Sequence, residues 1–526
     1  MIKDGNYELK RLTKTAVGLA CVALALVFTY LTVFSLRYTY IFDPKAYSSE
    51  HMLRIADAIL PNLLLCLLFF AAIRFFSRLE KKLSLRLITA LTLAVPFAAG
   101  IVWVYSARVY PRADQAYLFK TAAQLISGDV NSIIEKGSYI QRLPYQIGQL
   151  LYFEGVERLS GTERYRAFQL INVISLVLSY SALLSILWQA LHNRRAQLAA
   201  CCLLLLFAPG VLYCTFVYGN LPGLALALWG VERCVSWVRH RGIWRVCAAV
   251  ALLSIACVVK TNYLITALAV AITTLLYALH ERKWKIAAVA LCLFMIPLGV
   301  GRLPVALLEA RTGAAFRSGT PQTAWFAMGM QEGSRAAGWY NQYPWDVIAQ
   351  NDFDASKTEA RIQGDIEARL AIFKQNPAYW ASFYHSKLTS QWAETTYESL
   401  WVNRVGKFDA TRPAWVEPLL NSDALQRFTE SYANALYLAF AMGLIALALG
   451  LFRRNGMAYA DTFGLTALMA AVFGGLLYHL LFEAKSQYLL PYLLMIIPIA
   501  SVGLTLPTRS VTEWIQSLFN RRKSMV

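Results

Sequence analysis

Apolar runs of about twenty residues recur along this chain, and short clusters of lysine and arginine stand between them. A helix needs ~20 apolar residues to cross the hydrocarbon of a bilayer. In lipid every backbone N–H and C=O must be satisfied within the segment, which leaves the helix as the natural form for such a run. Twelve stretches qualify: 15–36, 58–77, 85–107, 166–190, 196–216, 220–238, 243–260, 263–279, 285–300, 432–452, 462–481 and 488–506. The pattern predicts an all-α, polytopic membrane protein of about twelve transmembrane helices with helical extracytoplasmic loops. Composition agrees: 15% of residues are charged, against ~25% in a soluble domain.

The basic clusters predict orientation, because cytoplasmic loops carry the excess of Lys and Arg. With the N-terminus inside, Lys3/Lys10/Arg11/Lys14, Arg78/Lys81/Lys82/Arg86, His192/Arg194/Arg195, Arg239/Arg241/Arg245, Arg282/Lys283/Lys285, Arg453/Arg454 and Arg521/Arg522/Lys523 all fall on the cytoplasmic side. Both termini are then cytoplasmic. The other face receives 37–57, 108–165, the turns at 217–219 and 261–262, the long 301–430, and 482–487. The first run, behind its basic residues, resembles a signal sequence but lacks a small-x-small cleavage site, so it reads as an uncleaved span. The net charge of +19 is dispersed in these clusters and forms no contiguous basic face. A nucleic-acid partner is therefore not expected, whereas membrane lipids with anionic head groups are. Most of the nine cysteines lie inside apolar runs and none falls in 108–165 or 301–430. The outer segments therefore do not depend on disulfides.

Four regions follow: a transmembrane hairpin (1–84), a core (85–300) carrying the first large outer loop (108–165), an extracytoplasmic or interfacial helical segment (301–430), and a C-terminal group of three helices (431–526). In the third, 357–375 has a helical period with Ile362, Ile366, Leu370 and Phe373 on one face, stopped by Asn376-Pro377. The aromatic-rich 379–401 reads as a helix lying at the outer interface.

Chemistry is expected where polar side chains meet the outer mouth of the bundle. Asp114 stands three residues after Pro111, in the first turn of a helix starting near 113. It suits an N-terminal helix position, and equally a general base that removes a proton from an acceptor hydroxyl. The same loop supplies Arg112, Lys136, Arg142 and Tyr145; Arg142 could make paired contacts with phosphate oxygens. Lys260 ends the seventh run, where it either snorkels to head groups or faces a lipid phosphate. The last outer turn concentrates Glu483, Lys485, Gln487 and Tyr488 between two apolar helices, with His479 one turn before. Glu394, beside Trp392, is a weaker candidate for holding a sugar, as are His385 and Lys387 in the same segment. Common nucleotide, hydrolase and zinc motifs are absent, and the six histidines make no ligand cluster by spacing. No metal ligands and no certain cofactor are assigned, and a divalent cation held by carboxylates from separate loops remains compatible.

With these residues in view, the chain resembles the GT-C superfamily of polyprenyl-phosphate-dependent membrane glycosyltransferases, on the bacterial protein mannosyltransferase-like branch. The resemblance rests on Asp114 at the head of the first large outer loop and on 139–149 running into the next helix. It rests also on "KLTSQWAETTYESLW" (387–401) and "EAKSQYLLPYL" (483–493). It implies a catalytic or acceptor-orienting role for Asp114, and lipid-phosphate binding by Arg142, Lys260 and Lys485. Two departures stand out. The neighbour of Asp114 is Gln115 where the family commonly has a Glu, and two additional spans precede the loop. The implied reaction transfers a sugar from a polyprenyl-phosphate donor to a hydroxyl on a cell-envelope acceptor (glycan, lipid or protein), with inversion expected if attack is direct. A transporter or flippase, and a polymerase or ligase of lipid-linked glycans, are the competing readings of the same span plan.

Overall fold

The computed structural model describes residues 2–46, 49–162, 164–316, 319–405, 408–409, 411–452 and 459–506. Arg317, Arg453, Arg454, Arg521, Arg522 and Lys523 lie outside the described residues. Among the described residues the protein is all-α apart from one hairpin, and every one of the twelve apolar stretches falls on helix.

Among the described residues, nine helices are long and apolar enough to cross a membrane, or ten if a bent pair counts as one span. The bent pair is the expected 196–216 stretch. Helix Arg194–Leu205 breaks before Pro209, and the chain continues after a 47° bend, as a proline that removes a helical hydrogen bond would cause. Two further stretches fall short of the expectation. Asn220–His240 carries Glu232 and Arg233 in its interior, and Ile243–Val259 is a shorter apolar helix of 17 residues. The structure thus supports a multi-pass membrane protein with about nine or ten long apolar helices.

The two ends of the chain build the core together. Ile2–Ser35 packs on Asp423–Phe452, which packs in turn on Leu490–Thr505. That last contact is close because Gly443 and Gly503 face the partner backbone: a Cβ on Gly443 would meet Ile499 O, and one on Gly503 would meet Ala439 O. Small residues at a crossing let helix backbones approach where lipid supplies no hydrophobic drive. A second group packs Asn220–His240 against Tyr165–Leu191 and Ile243–Val259, and Leu264–Glu281 against Trp284–Val300 and Tyr459–Leu481. Ile59–Arg78 exposes Leu60, Leu64, Leu68 and Phe75, as a lipid-facing helix would.

Three local features depart from the sequence reading. The 37–57 segment forms an antiparallel hairpin, Tyr38–Phe42 with Met52–Ala56, docked through the Tyr40 N–H, which donates to Ala393 O (3.0 Å). The helix expected to lie at the interface stops at Trp392. Residues 394–399 then turn inward and are buried, because Trp392 packs on Phe28 (5.0 Å) and the turn's polar groups bond to one another. Third, helix Ala355–Gln375 buries Ile362, Ile366 and Phe373 as expected but leaves Leu370 half exposed.

Candidate functional site

Pro111 interrupts the chain after helix Leu85–Ala107, and Asp114 opens helix Asp114–Ser127. Between them Ala113 takes φ +46°, ψ −129°, a region a residue with a Cβ rarely adopts. Strain of this kind persists only where the surroundings impose it. Gln115 helps to impose it, accepting the Val217 N–H through its side chain (2.9 Å). The Asp114 carboxylate is thereby presented to Tyr218, whose hydroxyl donates to Oδ2 at 3.0 Å.

Asp114 lines a cavity of about 940 Å³ into which residues of 108–165, 301–430 and 482–487 project, together with Glu50 of the hairpin and Tyr218. The first loop adds Arg112, Lys120, Tyr139, Arg142 and Tyr145 to its wall. Segment 301–430 adds Trp325, Arg335, Tyr340, Trp345 and Trp401, and the last turn adds Glu483, Lys485, Gln487 and Tyr488. Arg142 is held by stacking on Trp345 (4.7 Å) and by donating its Nε–H to Gly137 O (2.7 Å).

A smaller chamber of about 120 Å³ adjoins it, and the two share Tyr145, Tyr218, Trp325, Glu483 and Tyr488 as a common partition. Lys260 lines the small chamber, with its ammonium 3.3 Å from the centre of the Tyr218 ring and donating to Gln149 Oε1 at 3.4 Å. Gly148 makes this possible: a Cβ there would strike Val258 O, so only glycine lets helix Ile147–Ser160 seat on the end of Ile243–Val259. Tyr478 and Phe482 also line this chamber. They lie at the helix end that exposes Leu477 and Leu481.

Burial dominates the electrostatics. It pulls the Lys260 ammonium down to about 7, against the carboxylates of Asp114 and Glu483. It pushes the Glu483 carboxyl up to about 7, Asp114 adding to the rise and Lys485 opposing it. Glu398, fully buried, is pushed up to about 8. Glu50, also buried, would rise in the same way, but Lys485 and Arg335 outweigh burial and hold it below the ordinary range.

Of the residues singled out from the sequence, Arg112, Asp114, Arg142, Tyr145, Glu483, Lys485, Gln487 and Tyr488 line the large cavity, and Lys260 the adjoining chamber. Lys136 and Glu394 line neither. Lys136 is exposed, its ammonium 5.9 Å from the Phe353 ring. Glu394 is buried in the inward turn, accepting from the N–H groups of Thr396 (3.0 Å) and Glu398 (2.8 Å) and from Ser486 Oγ (2.7 Å). Its carboxyl closes a fold of the backbone. Lys485 differs in another way: its ammonium already meets Glu50 (3.1 Å) and Glu398 (3.4 Å).

Sequence reasoning missed Tyr218, Glu50 and Arg335. Tyr218 sat in what read as a tight turn, and Glu50 in a loop without a motif. Lys387, a weaker candidate by sequence, is buried and bonds to the carbonyls of Gly329 (2.5 Å) and Phe482 (2.7 Å), tying the last turn to segment 301–430. Among the described residues, no group of three or more His, Cys, Asp or Glu side chains could hold a metal ion. Comparison with protein-family models finds no match to this chain, and comparison with curated proteins finds none either.

Proposed function

We propose that the protein is a GT-C-type membrane glycosyltransferase that moves a sugar from a polyprenyl-phosphate donor to a hydroxyl of a cell-envelope acceptor. In this reading twelve helices span the cell membrane, both termini are cytoplasmic, and the cavity opens on the extracytoplasmic face. The observation that carries it is the pairing of compartments around Asp114. A wide polar cavity suits a water-borne acceptor, and a small aromatic chamber with a buried lysine, next to lipid-facing leucines, suits the phosphate end of a lipid.

The chemistry follows from the side chains. The donor phosphate sits at Lys260 with its chain leaving past Tyr478 and Phe482. Asp114 takes the proton of the acceptor hydroxyl as that oxygen attacks the anomeric carbon. The carbon–oxygen bond to phosphate breaks, and the phosphate departs with the electron pair. Attack opposite the leaving group inverts the anomeric centre. Lys260 stabilises charge developing on the phosphate, where preorganised cations act most strongly. Glu483, whose carboxyl burial raises to about 7, donates a hydrogen bond to the same oxygens in its protonated form, where the ionised form would repel them. A phosphate leaving group needs no strong acid, which accords with Asp114 having no separate acid partner.

The test is incubation of purified protein with a panel of polyprenyl-phosphate sugars, beside Asp114→Asn. Release of lipid phosphate by the wild type and its loss in the variant are expected. No release from any donor, or full activity in the variant, overturns the proposal.

A further inference from the structure

One wall of the large cavity gathers three cations, Arg112, Arg335 and Lys485, beside the carboxylate of Glu50. Glu50 pairs with Arg335 (2.6 Å) and with Lys485 (3.1 Å), so one carboxylate serves two cations. Arg112 stands beside them with its guanidinium 4.5 Å over the Trp401 ring, and the Lys485 ammonium lies 5.5 Å from the same ring. The Nη1 of Arg112 is buried and has no acceptor among the described residues.

Three further carboxyls bear on this wall. Glu398 is 3.4 Å from Lys485, and burial pushes its carboxyl up while Lys485 opposes the rise. Asp114, two residues from Arg112, is engaged by Tyr218. Glu483 is pushed up to about 7 and carries only part of a charge. Arg112 thus keeps a buried nitrogen without an acceptor on a wall where the Glu50 carboxylate is already shared by Arg335 and Lys485. A buried guanidinium nitrogen without an acceptor is costly, and a ring face supplies no lone pair to satisfy it. The free Nη1 of Arg112 suits a phosphate oxygen.

We propose that this wall binds a phosphate group of the acceptor, so that the acceptor is a phosphate-bearing molecule; its role as acceptor rests on the glycosyl-transfer reading. The donor's phosphate is a different group in a different place. Arg112, Arg335 and Lys485 line the large cavity and not the small chamber, whereas Lys260 lines the small chamber and not the large cavity. A cavity of about 940 Å³ is at the upper end of small-molecule sites, with room for an acceptor unit beyond the transferred sugar. Arg112 fixes the acceptor's charge, and the hydroxyl to be glycosylated lies toward Asp114, two residues further along the same strained turn.

The experiment uses full-length protein in detergent and measures binding of sn-glycerol 3-phosphate, of glycerol, and of a polyprenyl phosphate, by calorimetry or by quenching of tryptophan emission. Glycerol 3-phosphate is expected to bind and glycerol not. Arg112→Gln is expected to weaken glycerol 3-phosphate about tenfold or more, in keeping with loss of charge-assisted hydrogen bonds, while leaving the polyprenyl phosphate within about twofold. Lys260→Gln is expected to do the reverse. Arg335→Gln and Arg112→Lys are measured beside them, so that failure of one variant to fold leaves the comparison intact; the lysine is expected to restore part of the affinity.

Equal binding of glycerol and glycerol 3-phosphate overturns the proposal. So does loss of polyprenyl phosphate binding in Arg112→Gln with glycerol 3-phosphate unaffected, which would assign the wall to the lipid donor. Because binding is measured without turnover, phosphate capture at Arg112 in a protein that transfers no sugar would leave this site standing and sink only the transferase reading.

Discussion

The Tyr218 hydroxyl donates a 3.0 Å hydrogen bond to Asp114 across 104 residues of sequence, and the centre of the same ring lies 3.3 Å from the Lys260 ammonium. One aromatic side chain thus touches both a carboxylate on the cavity side and a cation on the chamber side.

That relationship predicts graded losses of transfer activity. Asp114→Asn removes the base and is expected to lower kcat by roughly 10²- to 10⁴-fold. Tyr218→Phe keeps the ring under Lys260 and deletes only the hydroxyl. It should lower kcat about tenfold, the size of one hydrogen bond to a charged group, with KM for the lipid donor little changed. Steady-state kinetics with a fixed donor separates the two.

Glu483 predicts a pH-dependent difference in stability. Its folded carboxyl is raised to about 7 from an unfolded value of about 4.3, so the fold holds the proton more tightly than the unfolded chain. The resulting stabilisation is fully present below the unfolded value and is lost as pH rises through about 7. Lys485, Tyr488, Asp114, Arg335, Lys260 and Lys387 all act on this group. Glu483→Gln cannot lose a proton. Between pH 5 and 8 the wild type should therefore fall relative to the variant by roughly 2 kcal/mol, since each tenfold difference in proton affinity between the two states is worth about 1.4 kcal/mol. Melting curves in detergent across that range test it; a constant difference would refute it.

Glu50 is held at φ +58° and is buried between Arg335 and Lys485. Glu50→Ala leaves two cations facing each other without their shared partner and should destabilise by about 3 kcal/mol, the usual result of breaking a buried ion pair from one side. Glu50→Gln keeps the acceptor oxygen and should lie between. The readout is the detergent melting temperature of each variant beside wild type.

Lys387→Met strands the carbonyls of Gly329 and Phe482 inside the protein. Each lost partner is worth about 1–3 kcal/mol, so a drop of several degrees in Tm is expected. Because Phe482 precedes Glu483, kcat should fall as well. Gly338→Ala should resemble it, since Gly338 has φ +71° and a Cβ there would press on Lys387 Cε at 2.6 Å. Unchanged activity in both variants would separate Lys387 from the site.

The positions of the helices were legible because the requirement they answer is local: a run such as 85–107 is apolar whatever surrounds it. Asp114 was legible for a related reason, as Pro111 and the amphipathic run after it mark a helix start. What decided the count of long apolar helices was less local. The bend before Pro209 and the charges at Glu232 and Arg233 break a stretch only when their partners, such as Ser185 and Gln189 bonding to Glu232, are known. Glu394 shows the same limit from the other side. Beside a tryptophan it looked like a ligand for sugar, whereas its oxygens are taken up by the backbone turn that follows it and by Ser486. Tyr218, Glu50 and Arg335 carry no motif, and their place comes from contacts across more than a hundred residues.

The wall built by Glu50 also sets an order of assembly. Glu50 belongs to the hairpin between the first two long helices, and its partner Lys485 belongs to the turn before the last one. During synthesis the hairpin therefore waits, its carboxylate without that lysine, while more than four hundred residues are made and inserted. The cavity acquires its final charge only when the last turn arrives. A truncation before Lys485 would then yield a chain already in the membrane whose hairpin never meets the lysine that completes its site.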